Sequence, residues 1–383
     1  MVGADLTFAA SNRSNGWGAD LTSTVSNRSK WLRRICGPSL TAQRGGTARD
    51  DAGQLVMMMV MNLAIVGIGA GAAAALLFAS VTSGTLLSIP LFYLAPLPIM
   101  IAGLSWGHWV ALTAALSGAL TLGILFGTVF LFAFLAGAGV PGWWLGYLAM
   151  LARPVGGNGH QQTFEWYPTG QLVIWAAILA ALVVIVAIPN LGTDGESFRA
   201  GLHDALVRML RGQADASVDT PLTLPGGGDP ERFINFLVSV IPATAAVLAT
   251  FTNLFNLWLA GRVVKFSGRL TRPWPDLSAM RFPPLLTVAL AIAIALNFAG
   301  GLVGIVAGVV SASLLMAYGV LGFAVLHAIT QGMNARPFLL GGTYLAVLLI
   351  GWLVLALCVL GVLDTAIDLR GRVARKRGPP ALS

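Results

Sequence analysis

Two opposite charges stand alone in a long apolar part of the sequence. From Ala52 to Thr193 the only formal charges are Arg153 and Glu165, and Trp166 and Tyr167 follow the acid directly. An ionisable residue at membrane depth is costly to keep and marks a candidate functional site. The pair and its aromatic neighbours therefore predict a ligand-binding gate over a cavity. The alternative is that the aromatic rings anchor the chain at headgroup level while Glu165 faces water.

A second set of polar side chains repeats every three residues in the segment TFTNLFNLW. On a helix, Thr250, Asn253 and Asn256 would share one face. An amide group in hydrocarbon needs a hydrogen-bond partner, because an unpaired one is costly to bury. Asn253 and Asn256 are therefore candidate ligand-binding residues that line a polar path. The alternative is that they hydrogen-bond neighbouring helices.

Two acids and an arginine follow the last apolar segment. Asp364 and Asp368 are four residues apart, and Arg370 comes next. Like charges at this spacing repel each other on one helix face, so each acid needs a partner or water. These three residues are candidates for docking to a partner or to the basic loop 262–281. An ordinary helix exit at the membrane interface is the alternative.

The residue patterns of common catalytic sites are missing from the sequence. It has no Walker A loop, no HExxH and no CxxC, and Cys36 and Cys358 are far apart. The glycine pattern at Gly67–Ala73 lies in an uncharged segment, where small residues serve helix packing. We therefore expect no enzyme activity, no cofactor and no metal site.

Composition places these residues in a membrane. The chain is 56% hydrophobic and 10% charged, whereas soluble domains carry about 25% charged residues. Residues 172–188 and 339–363 hold no charge and are long enough to cross about 30 Å of hydrocarbon. We predict an all-α, polytopic transmembrane helical bundle of about eight to ten spans, in contact with the lipid bilayer. The basic residues lie between or beyond the spans, which is typical of membrane topology and not of a nucleic-acid partner.

The chain is predicted to divide into a tail, two bundles, a loop and a second tail. Residues 1–56 are rich in Ser, Asn, Gly and Arg and are expected to be disordered, with translation starting at a methionine between Met57 and Met61. Residues 57–189 and 233–363 form the N-terminal and C-terminal transmembrane bundles. The extramembrane loop 190–232 carries an amphipathic helix over Ser197–Gly212, and 364–383 is a basic cytoplasmic tail.

Proline, glycine and tryptophan predict finer features of the spans. Pro90, Pro96 and Pro98 should break the span 85–104, and residues 108–140 should divide near Gly123–Gly127. The segment PGWWLGYLAML is predicted to be an interfacial helix, since aromatic residues favour headgroup depth.

The topology of the C-terminal half poses a conflict. Loop 262–281 has five Lys or Arg against Asp276 alone, and the tail after Arg370 is also basic, so both should be cytoplasmic. That placement requires an even number of crossings between them. The sequence shows three apolar segments there, at 285–300, 302–329 and 339–363. Either residues 302–331 form two short or re-entrant pieces, or one basic flank is misplaced.

Five segments together resemble one protein family. They are IPLFYLAPLPIMIAGLSWGH, PGWWLGYLAMLARP, EWYPTGQL, NLWLAGRVVKFSGRLTRPWPDL and LGVLDTAIDLRGR, and they resemble the proteobacterial branch of the YybS-like family of predicted bacterial membrane proteins. The resemblance spans Met61 to Arg372. That family is distantly similar to the substrate-binding S components of energy-coupling-factor vitamin transporters.

The resemblance implies a multi-pass protein of the bacterial inner membrane that binds a small molecule within its bundle, as a transporter or an S-component-like subunit. Partner membrane or ATPase subunits would then couple it to energy, because the chain has no nucleotide motif of its own. The alternative is a non-transporting membrane scaffold for envelope or division proteins, in which the extramembrane pieces carry the function.

Overall fold

The structure, a computed structural model, is almost entirely helical and describes residues 48–155, 163–213 and 228–377. The chain divides after Met59 into two compact units, and the features described below lie in the second, apart from the first turns of the first helix. Within the described residues, seven helices are long and apolar enough to cross a membrane, and three shorter apolar helices accompany them. The chain is therefore a multi-pass membrane protein, and the predicted all-α bundle is confirmed.

The first helix, α1, spans Ala48–Ala79. The disorder predicted for residues 1–56 falls mostly on residues 1–47, which lie outside the described part, as does Cys36. Residues 48–56, also part of the predicted tail, are helical. Their acidic and polar residues continue directly into an apolar run, which lets one helix include both.

The following helices are short and closely joined. Their bounds are α2 Ser88–Tyr93, α3 Pro96–Trp106, α4 His108–Phe126, α5 Thr128–Phe134, a π-helical segment Leu135–Gly139, and α6 Val140–Ala149. The predicted break in the second span is confirmed, since one helix ends at Tyr93 and the next begins at Pro96. The break forms there because proline has no N–H to continue the helix. The predicted division of residues 108–140 is confirmed at Gly127, whose φ of +94° suits glycine.

The segment Pro141–Leu151, predicted to be an interfacial helix, mostly continues a longer helical run. Residues Thr128–Ala149 together form a helix long enough to cross a membrane. Gly142 lies against Ile99, and Gly146 lies against Gly103, so α6 packs closely on α3. These contacts make the segment part of the helix packing of the bundle.

A β-hairpin leads into the next group of helices. Strands β1 Ala152–Val155 and β2 Thr163–Trp166 pair antiparallel, and helices α7 Thr169–Ala187, α8 Gly195–Gln213 and α9 Pro230–Phe266 follow. The all-α prediction does not include this hairpin. The amphipathic helix predicted for residues 197–212 is confirmed as α8, and its apolar side packs on α9 through Phe198, Leu202, Ile234 and Val238.

The C-terminal half contains helices α10 Leu285–Asn297, α11 Gly301–Ile329, α12 Arg336–Leu349, α13 Val354–Ile367 and α14 Leu369–Arg377. Helix α11 is central and packs against α7, α9, α10 and α13. The single span expected over residues 339–363 is wrong, because a 3-10 turn at Gly351–Leu353 separates α12 from α13. Close approach of Gly361 to the backbone of Tyr318 fixes α13 on α11.

Candidate ligand-binding cavity

Arg153 and Glu165 form an ion pair on the surface of the hairpin. The two residues face each other in the strand register, and Arg153 Nη2 lies 2.7 Å from Glu165 Oε2. Their side chains are 76% and 52% exposed, and a pair this exposed contributes only about 0–1 kcal/mol to stability. The structure therefore pairs the two predicted residues but places them on an open surface. Neither lines the cavity or the groove described below.

The aromatic residues after Glu165 lead into a half-buried contact with the basic loop. Tyr167 Oη accepts a hydrogen bond from Trp175 Nε1 at 3.0 Å. Arg272 donates from Nη1 to the carbonyl of Ala149 at 2.8 Å and from Nη2 to the carbonyl of Tyr167 at 2.9 Å. Burial lowers the pKa of the Arg272 guanidinium. Sequence reasoning missed this residue, which ties loop 262–281 to the end of α6 and to the hairpin.

Asn253 and Asn256 hydrogen-bond neighbouring helices. Asn256 is fully buried, and its Nδ2 donates to the carbonyl of Tyr93 at 2.8 Å and to that of Thr252 at 2.9 Å. The helix is interrupted between Tyr93 and Pro96, and Asn256 donates a hydrogen bond to the Tyr93 carbonyl at this interruption. Asn253 Nδ2 lies 3.3 Å from the carbonyl of Ala176 on α7. The polar face of α9 thus joins helices, and the Asn256 Oδ1 atom is buried without a hydrogen-bond partner among the described residues.

The acids near the C-terminus contact an arginine and the basic loop. Asp364 Oδ2 lies 2.7 Å from Arg370 Nη2, with both side chains buried. Arg370 Nη1 also donates to the carbonyl of Ser278 at 2.7 Å, and Asp368 Oδ1 lies 3.2 Å from Arg281 Nη1. Two of the three predicted docking residues, Asp368 and Arg370, therefore contact loop 262–281 of their own chain, and Asp364 holds Arg370 in place.

A concave feature lies under α8, where that helix meets α9 and α11. It is a cavity of about 330 Å³. Its wall is mostly apolar, with polar groups from Arg199, Ser239, Asn297 and Ser311. A wall of this kind, apolar with few polar groups, is typical of small-molecule sites. Residues distant in sequence form it, since they come from α8, α9, the end of α10 and α11.

Pro242 on α9 and Gly308 on α11 shape the cavity wall. Pro242 lies inside α9 and has no N–H, so the Val238 carbonyl cannot receive the helix hydrogen bond from residue 242. Both residues line the cavity. On α11, a Cβ atom at Gly308 would lie 2.9 Å from Asn297 Oδ1. Glycine at this position therefore makes room for the Asn297 amide at the edge of the cavity.

A polar groove adjoins the cavity and shares Arg199, Val238 and Ser239 with it. His203 and Glu231 cross this groove, with Nε2 and Oε1 3.0 Å apart. Asp204 also lies beside His203, at 3.6 Å. Ionisable side chains thus line the groove at the outer surface of α8, whereas most of the residues that line the cavity behind it are apolar types.

The local sequence explains how α8 is held over the cavity. Asp194 caps its first turn: Oδ1 accepts from the backbone N–H of Glu196 and of Ser197, each at 2.9 Å. The Asp194 N–H in return donates to Ser197 Oγ at 3.1 Å, as in a capping box. These hydrogen bonds, from Ser197 first and then Glu196, lower the pKa of Asp194.

Within the described residues, no three His, Cys, Asp or Glu side chains come together as metal ligands. No family model matches the chain, and no curated protein or solved structure matches it either. The fold and the cavity define a class: a multi-pass helical membrane protein with a cavity beneath an amphipathic helix.

Proposed function

We propose that this chain is an inner-membrane protein of bacteria that binds a small molecule in the cavity under α8, as a transporter or an S-component-like subunit. The observation that carries the proposal is the cavity itself, whose volume of about 330 Å³ falls in the range of about 300–1,000 Å³ that ligand sites occupy. The segments that resemble the YybS-like family support the same function. The chain would belong to that family.

The cavity wall favours a compact ligand with a few polar groups. The Asn297 amide and the hydroxyls of Ser239 and Ser311 offer both donors and acceptors. Arg199 adds a cation at the side shared with the groove. Buried polar groups select ligands that can pair with them, because a ligand without matching groups leaves them unsatisfied.

The contacts of the basic loop support one topology. Arg281 with Asp368, and Arg370 with Ser278, bring loop 262–281 and the C-terminal helix α14 to the same end of the bundle. The seven long helices count α2 with α3 as one span and α5 with α6 as another. Together with α10 they would give eight crossings, with α12 and α13 as a re-entrant pair. Only α10 and α11 would then cross the membrane between the two basic flanks, which gives the even number that two cytoplasmic flanks require. Loop 262–281 would face the cytoplasm, and α8 with its cavity would face the outside.

Energy for transport would come from partner membrane or ATPase subunits or from an ion gradient. An outward-facing cavity suits uptake, since the ligand reaches it before any step that uses energy. The alternative, a scaffold for envelope or division proteins, needs no ligand in this cavity. Ligand binding therefore separates the two.

The test is a thermal-unfolding screen of the purified full-length protein against vitamins and vitamin precursors. A ligand at about 100 times its Kd adds about 2.7 kcal/mol of stability, which the screen detects. Ala312 lines the cavity, so Ala312→Phe should abolish the stabilisation by filling it. Ala295 is exposed on α10, and Ala295→Phe is the matched control that should keep it. The proposal would be overturned if a compound stabilised Ala312→Phe as it does the wild-type protein, or if no compound stabilised the wild-type protein.

A further inference from the structure

Cations and aromatic rings gather at the C-terminal end of α9, and we infer that they bind the headgroup of an anionic phospholipid. The basic–aromatic patch consists of Arg262, Lys265, Arg269, Trp106, Trp258 and Trp274. None of these residues contributes to the cavity under α8 or to the groove beside it. The inference is therefore independent of the proposed ligand.

The three cations of the patch are exposed and lack acidic partners. Arg262, Lys265 and Arg269 are all exposed to solvent. No carboxylate in the described part of the chain forms an ion pair with any of them. The one acid of the loop, Asp276, instead accepts hydrogen bonds from the backbone N–H and the hydroxyl of Ser278. The patch therefore presents three uncompensated positive charges.

Aromatic rings hold these cations in place. Arg262 lies 5.8 Å from the ring centre of Trp258 and 5.6 Å from that of Trp274. Lys265 lies 5.1 Å from the Trp274 ring, and Arg269 lies 4.6 Å from the Trp106 ring. Cation–π contacts at these distances restrict the side chains without neutralising their charge. A guanidinium that is already oriented can bind phosphate oxygens through paired N–H groups.

The length of α9 places the patch at the membrane surface. At 1.5 Å per residue, the 37 residues of the helix extend about 55 Å, whereas the hydrocarbon core is about 30 Å thick. Apolar side chains adjoin the cations: Phe266 is 97% exposed, and Trp258 and Val263 are about half exposed. A headgroup phosphate on the cations would leave its acyl chains beside these residues. Charge and adjacent apolar surface together fit a lipid rather than a soluble anion.

The experiment compares lipid retention by the full-length protein in detergent, measured by native mass spectrometry. Phosphatidylglycerol and phosphatidylcholine are supplied at equal concentration. Each basic residue near an anionic surface contributes about 1 kcal/mol, so Arg262→Gln with Lys265→Gln should weaken phosphatidylglycerol binding by about tenfold or more. Arg208→Gln with Arg232→Gln removes two exposed charges near the N-terminal end of α9 and is the matched control, which should change binding by less than about twofold, because charges beyond a Debye length of about 10 Å are screened.

Two further measurements keep the inference falsifiable. Binding of phosphatidylglycerol to the unmodified protein should fall as ionic strength rises, because salt screens exposed charges. Glycerol 3-phosphate, which has the phosphate but no acyl chains, should not compete at the lipid's concentration. Equal retention of the two lipids, equal losses in both double variants, or competition by the soluble phosphate would each overturn the lipid site.

Discussion

Arg370 and Asp364 form an ion pair that is buried at the end of the bundle. Their side chains are 9% and 4% exposed, and Nη2 lies 2.7 Å from Oδ2. The backbone N–H of Arg370 also donates to Asp364 Oδ1 at 3.1 Å. The chain can turn back in this way because Asp368 adopts a left-handed conformation, with φ of +49°. The pair thus fixes α14 against α13 and positions Arg370 to hold loop 262–281.

Replacing one member of this pair should destabilise the protein strongly. Asp364→Asn leaves the Arg370 guanidinium buried without a counter-charge, and breaking a buried pair from one side costs about 3–5 kcal/mol. Denaturant or thermal unfolding in detergent measures the loss. Glu165→Gln is the matched control, because it breaks the exposed pair with Arg153 and should cost less than about 1 kcal/mol. Similar losses in the two variants would contradict the structure.

The Asn256 amide should matter for stability rather than for ligand binding. In Asn256→Leu the carbonyl of Tyr93 loses its side-chain donor, and a buried unsatisfied group costs about 1–3 kcal/mol. Asn253→Leu should cost less, since its bond to the Ala176 carbonyl is longer, at 3.3 Å. Unfolding midpoints measure both changes. Loss of ligand binding in a fully folded Asn256→Leu protein would instead place the residue in a binding site.

Arg272 should not tolerate replacement by lysine. Its two Nη atoms reach two carbonyls in different elements, at Ala149 and Tyr167, and a lysine ammonium cannot reproduce the planar fork. Arg272→Lys should therefore lose one of the two bonds and about 1 kcal/mol of stability. Unfolding curves give that value, and protease cleavage in the hairpin reports whether it detaches. Arg208→Lys keeps its charge at an exposed position of α8 and serves as the control, which should leave both readouts unchanged.

Local features of the sequence predict the helices, whereas the sites depend on contacts between distant segments. The break at Pro96, the turn at Gly127 and the amphipathic α8 all follow from residues within a few positions. The cavity could not be predicted in this way, because Arg199, Asn297 and Ser311 come from three helices. The sequence features that could have indicated the cavity are Pro242 and the four-residue spacing of Gly304 and Gly308. Arg153 and Glu165 stand out because they are the only charges in a long apolar stretch. That pattern does not show whether the two side chains are buried or exposed.

Acid should weaken the cap that holds α8 over the cavity. Hydrogen bonds from Ser197 and Glu196 lower the pKa of Asp194 below its usual 3.8, so the folded state holds this proton less tightly than the unfolded chain. The stabilisation is fully present above the unfolded pKa and is lost as the pH falls through the lower folded pKa. The pH window therefore lies at and below 3.8.

Thermal unfolding of the wild-type protein and of Asp194→Asn at pH 6 and pH 3 measures this effect. Asparagine can also cap a helix but cannot ionise, so the variant keeps the geometry and loses the titration. Asp276 and Asp368 also have lowered pKa values, and they remain in both proteins, so the comparison isolates Asp194. The wild-type advantage in melting temperature should be larger at pH 6 than at pH 3. An advantage of the same size at both pH values would show that the charge of Asp194 does not stabilise α8.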